Sequence, residues 1–147
     1  MRRALIALLL AAAFVQAAPA RAADKKDDPP SPTVLMLPVA LPVIVDGRLV
    51  NYVFVSLRLG LAPGGDIPRL RAKEPYFRDA LLHFAYRNSL VRDDNYAALD
   101  EDRLKAATLR SAADVVGPGK VISVQVIKQA PQRVQGLPKP KAAPQTH

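Results

Sequence analysis

The 147-residue chain contains no cysteine, no tryptophan and only two histidines, one of them the last residue. Without cysteine there is no disulfide framework, no thiolate chemistry and no Cys-ligated zinc. One internal histidine argues against a His-based metal site. Aromatic residues make up only 5% of a chain that is 50% hydrophobic, which predicts a moderate core. The 14 prolines lie mostly outside the middle of the chain, so irregular ends flank that core. The length fits one domain and excludes a multidomain enzyme.

The N-terminus reads as an export signal. Arg2 and Arg3 precede the apolar stretch Ala4–Ala18, interrupted only by Gln16, and Ala20-Arg21-Ala22 supplies a small-x-small cleavage site. The competing reading is an uncleaved anchor, but a spanning helix needs roughly 20 apolar residues and this run is shorter. Export places the domain in the periplasm or outside the cell, with inner-membrane association if the leader is retained. Residues 1–22 are therefore assigned to a signal peptide. The formal charge of +8 includes Arg2, Arg3 and Arg21, so residues 23–147 carry 18 cations against 13 acids, or +5. That excess favours weak contact with anionic surfaces and does not call for nucleic acid.

Residues 23–32 (ADKKDDPPSP) are charged and then Pro-rich, as in a linker. From Thr33 to Leu61 the chain is apolar and β-branched around Asp46-Gly47, which predicts a hairpin of strands Val34–Ile44 and Arg48–Leu61. Odd positions form the more apolar face of both: Leu35, Leu37, Val39, Leu41 and Val43 on the first, and Leu49, Val53, Val55, Leu57 and Leu59 on the second. Pairing odd with odd favours a three-residue loop Val45-Asp46-Gly47 with a bulge at Gly47. Pro38 and Pro42 mark the first strand as an edge or bulged strand. The even face, with Val34, Met36, Ile44, Val50, Tyr52 and Phe54, is also apolar. Either the linker or leader shields part of it, or it meets another subunit.

Ala62–Gly65 reads as a turn, and Asp66 as the cap of a short turn at Ile67-Pro68. A helix over Lys73–Asn88 places Phe77, Ala80, Leu81, Phe84 and Ala85 on one stripe, with Pro75 in its first turn and a start near Glu74. Arg92–Asn95 is a polar connector. A second helix, Asp100–Val116, begins with three acids that suit the helix dipole and carries the stripe Leu104, Ala107, Thr108, Ser111 and Val115. Gly117-Pro118-Gly119 stops it. In the closing strand Val121–Val126, the residues Ile122, Val124 and Val126 share a face. Residues 130–147 hold Arg133, Lys139 and Lys141, four prolines and no acid, and read as a disordered basic tail.

No reactive constellation is visible in the sequence. His83 follows an apolar pair on a helix and reads as a structural histidine bonded to Asp79. Gly64-Gly65 lacks the Lys-Ser/Thr element of a phosphate loop. Asp93-Asp94 and Asp100-Glu101-Asp102 lack the alternating ligands of a calcium loop. No metal or cofactor is expected. Glu74 and Arg78, spaced i,i+4, are positioned to pair on a solvated face or to dock a neighbouring subunit.

The run Lys73–Leu82, with Pro75, Arg78 and Asp79 as its Pro-x-x-Arg-Asp core, resembles the signature of the flagellar basal body-associated FliL family. Tyr52–Leu59 resembles the strand before that helix. Leu99–Val116 resembles the family's second helix, and Val121–Gln129 its closing strand. The likeness spans about Pro42–Gln129. It implies an α+β periplasmic domain similar to the stomatin-type SPFH domain, occupying 33–129, in which a hairpin, two helices and a closing strand make a small sheet packed against helices. It also implies a homo-oligomer, ring-like around the flagellar stator, that supports torque without catalysis. The short leader and the tail after Gln129 depart from the pattern.

Two functions are therefore expected. The first is a non-enzymatic accessory protein of the flagellar basal body or stator, using Glu74, Pro75, Arg78, Asp79, Tyr52 and Phe54 for structure or contact. The alternative is an envelope-binding module unrelated to motility, whose tail residues Arg133, Lys139 and Lys141 touch anionic lipid or cell-wall polymer.

Overall fold

The apolar run from Thr33 to Leu61 folds into three strands where the pattern predicts two. They are β1 (Thr33–Leu35), β2 (Val39–Val45) and β3 (Arg48–Leu61). Helices α1 (Ile67–Arg87) and α2 (Glu101–Val116) follow, and β4 (Val121–Pro131) closes the sheet. The computed structural model describes residues 31–140. The leader, nearly all of the linker and the chain from Lys141 lie outside the described residues.

Every strand pairs antiparallel with β3, which runs through the middle of a four-stranded open sheet. Leu59 meets Val34 of β1 on one side and Val124 of β4 on the other, while Val55 lies between Val39 of β2 and Gln129 of β4. β1 and β2 are thus two segments of one interrupted edge, and β4 is the opposite edge. Together with the two helices this is an α+β architecture in the expected element order.

The turn differs from expectation. Val45 pairs with Arg48, so Asp46-Gly47 is a two-residue loop, with φ of 48° and 75°. Such a left-handed pair has the twist that antiparallel strands need. The predicted three-residue loop is therefore incorrect. Odd-with-odd register holds further along, because a bulge at Val50 restores it: Ile44 faces Leu49, but Val43 faces Asn51 and Leu41 faces Val53. The bulge turns Leu49 outward, at 49% exposure, and puts Asn51 in the core at 4%.

The first predicted strand breaks over Met36–Pro38. Before the break the even residues Val34 and Met36 are buried, and Leu35 and Leu37 are exposed; after it the odd residues Val39, Leu41 and Val43 are buried. The single odd face expected for this strand is corrected accordingly. Pro38 has no N–H for a ladder, and the Leu37 N–H is taken by a side chain.

Helix α1 also starts earlier than predicted. Asp66 caps it, its Oδ1 accepting the Arg69 N–H at 2.9 Å, and Pro68 sits in the first turn. Pro75 lies inside the helix rather than at its start. It offers no N–H to the Arg71 carbonyl, and its exposed ring leaves that side of the helix to water. Asp100 caps α2 through the Arg103 N–H at 2.9 Å, and Leu104, Ala107, Thr108 and Ser111 are buried as expected, with Ala112 nearer the core than Val115.

Two bulges in β4 leave Ile127 and Ile122 without partners on β3. They reverse the expected alternation at its start: Val121 is buried and Ile122 is 50% exposed. The strand also runs to Pro131, past the expected end of the domain at Gln129. Val53, Val55, Leu57 and Leu59 of β3 are each 1% exposed or less and meet Phe77, Leu81 and Leu104 from the helices in one core. Each such leucine contributes about 2 kcal/mol by burial. The polar connector Arg92–Asn95 is exposed throughout, and the apolar residues on either side of it, Leu90, Val91, Tyr96 and Leu99, are buried, with Val91 bridging to Leu99.

Candidate interaction surface

Glu74 and Arg78 converge on the break in the edge strand. Glu74 is only 8% exposed, and its Oε1 accepts the Leu37 N–H at 2.8 Å. One turn on, Arg78 Nη2 donates to the Pro38 carbonyl at 3.2 Å, while Arg78 Nε is buried without a partner. The carboxylate and the guanidinium serve neighbouring backbone groups of opposite polarity, so α1 meets the Leu37 N–H and the Pro38 carbonyl, while the Met36 N–H bonds the Leu57 carbonyl of β3 at 2.9 Å. No ion pair joins Glu74 to Arg78 among the described residues. The i,i+4 pair expected from their spacing is replaced by two separate anchors.

The rest of the segment faces outward. Pro75 and Asp79 are exposed, and Tyr76 is 65% exposed with Lys73 Nζ 5.2 Å from its ring centroid. His83 Nε2 lies 3.5 Å from Asp79 Oδ1, as expected from sequence, but both side chains are solvated, so the pair is no core element.

Tyr52 and Phe54 lie on the sheet face opposite the helices. The Tyr52 hydroxyl is 3.0 Å from that of Tyr86 at the end of α1. This hydrogen bond raises the Tyr86 phenol above its ordinary value, with burial adding to the effect. Phe54 stands 45% exposed beside Ala130 of β4. Arg133 is held rather than loose: Asn51 Oδ1 accepts its N–H at 3.1 Å, and Asn51 Nδ2 donates to its carbonyl at 3.0 Å. Lys139 is exposed, and Lys141 lies outside the described residues.

Two side chains outside the expected site residues, Asn51 and Gln129, tie the inner side of the sheet to the loop between the helices. Asn51 Nδ2 also donates to the Tyr96 carbonyl at 3.2 Å, tying β3 to the interhelix loop and to the chain beyond β4. Gln129 grips Leu99 twice, accepting its N–H at 2.8 Å and donating to its carbonyl at 3.2 Å. A signal existed for Asn51, the one polar residue in the odd series of its strand.

The acidic loop is internally paired. Arg92 meets Asp94 in a two-bonded fork, both contacts at 2.8 Å. The fork holds the Asp94 carboxyl below the ordinary carboxylate range. Among the described residues no group of His, Asp and Glu is arranged to hold a metal ion. A depressed carboxyl contributes stability above its unfolded pKa and loses it as pH falls through the folded value. Arg92→Ala should return the Asp94 titration, followed by side-chain NMR, to the ordinary range. The change in stability should be slight, because the pair is solvated.

At the Gly64-Gly65 turn a cavity of about 150 Å³ opens beside Arg69 and Lys120, but the Asp66 carboxylate already occupies the helix start. A Cβ at Gly65 would lie 2.6 Å from Leu61 Cβ and 2.9 Å from the Ala62 carbonyl oxygen. Gly65→Ala should therefore lower stability by about 1–2 kcal/mol through overpacking, read from thermal unfolding.

No protein-family model matches the chain, and no curated protein matches it.

Proposed function

We propose that this is a non-enzymatic, exported accessory protein similar to the FliL family, with an SPFH-like domain, acting in the periplasm by association with the flagellar basal body or stator and with copies of itself. The observation that carries the reading is the double anchor at the edge-strand break. Within the Lys73–Leu82 run, Glu74 and Arg78 bond backbone at Leu37 and Pro38. Pro75, Tyr76 and Asp79 remain on the surface, Tyr76 beside Lys73 and Asp79 beside His83. A segment that fixes the scaffold with one side and offers contacts with the other suits assembly more than turnover. Deleting the gene should impair swimming under high load or swarming while leaving growth and secretion intact. Motility unchanged at both low and high load would refute the proposal.

A second reading, an envelope-binding module unrelated to motility, is favoured by charge. From Val115 to His147 the chain has five cations and no acid.

A further inference from the structure

The acids are segregated along the chain, and the strands carry only cations. Residues 62–116, which hold both helices, carry nine cations and nine acids. Residues 33–61 and 117–147 carry seven cations and one acid, Asp46 at the hairpin turn; three of the cations, Arg48, Arg58 and Lys128, lie in strands. No strand contains an Asp or Glu. On the face turned away from the helices, Leu35 at 53%, Leu49 at 49% and Phe54 at 45% exposure are interspersed with the cations Arg58 and Lys128. Ile127, freed by its bulge, adds a further apolar side chain at 46% exposure.

We propose that this open sheet face seats on an anionic lipid bilayer. The surface is broad, and its charge is of one sign. A second copy docked face to face would set Arg58 and Lys128 against their own counterparts with no carboxylate to answer them. An acidic peptide added as a strand needs a regular edge to set its register, and Pro38, Pro42 and the β4 bulges interrupt both edges. A bilayer needs no register. Its headgroup phosphates complement the two cations, and the boundary beneath them accepts leucine, isoleucine and phenylalanine side chains. The proposal refines the envelope-binding reading by moving the contact from the tail to the sheet, and it stands whether or not the motility reading holds.

The lack of tryptophan makes the test clean. Phe54→Trp places a single reporter on the open face, and Tyr76→Trp places one on the helical side. The full exported chain of each variant is mixed with vesicles of phosphatidylglycerol and phosphatidylcholine, with and without brominated acyl chains. The expected result is a blue shift and bromine quenching for Phe54→Trp alone, absent with pure phosphatidylcholine. Arg58→Gln with Lys128→Gln should weaken binding about five-fold for each cation removed. Circular dichroism checks that these exposed substitutions leave the fold intact. Failure to bind anionic vesicles at low salt, or quenching at Tyr76→Trp equal to that at Phe54→Trp, would overturn the proposal. So would binding lost on truncation after Gly136 yet indifferent to Arg58 and Lys128. Motility assays of the same variants report separately on the flagellar reading.

Discussion

Asn51→Ala is expected to lower the unfolding free energy by about 3 kcal/mol, since it strips hydrogen bonds from several backbone groups at once. The amide accepts from Arg133 and from the Tyr52 N–H, and donates to the Tyr96 and Arg133 carbonyls. Asn51 itself is 4% exposed, so water has little room to replace it. The effect should appear as a lower urea midpoint at unchanged slope, since the surface exposed on unfolding stays the same. Hydrogen exchange should localise the damage, with the Arg133 amide losing protection before those of central β3. A loss well under 1 kcal/mol would mean that solvent replaces these bonds freely.

Glu74→Ala should cost about 2 kcal/mol, because it removes a charged acceptor and strands the Leu37 N–H. Glu74→Gln keeps an acceptor oxygen and should recover most of the loss, which separates hydrogen bonding from charge. Arg78→Ala should cost less, about 1 kcal/mol, because its 3.2 Å bond is longer and its Nε goes unpaired already. The two substitutions act on one strand break and should combine non-additively in a double-mutant cycle. Additive losses would show that the two anchors work independently.

Much of the fold was legible because its rules are local. Asp46-Gly47 announced the hairpin, the acids at 100–102 and Gly117 bounded α2, and the apolar odd positions of β3 gave the core face. What escaped depends on partners distant in sequence. At the Met36–Pro38 break, the Leu37 N–H and the Pro38 carbonyl are met by Glu74 and Arg78 from α1. Pro75 pointed to a helix start, whereas Asp66 and Pro68 had already begun that helix, and propensity alone cannot rank two prolines. The bulges at Val50, Ile122 and Ile127 each shift the alternation by one residue, which no period-2 reading anticipates. Of the residues singled out for interaction, Pro75 and Asp79 are exposed, Phe54 and Tyr52 share the open face, and Glu74 is committed to the scaffold.

The treatment of the sheet margins bears on how the protein survives crowding. One flank carries Pro38, Pro42 and a plugging carboxylate, and the other carries two irregular residues. Neither can template another chain into a growing cross-β stack. The domain can therefore reach high local concentration with its sheet margins blocked against fibril growth.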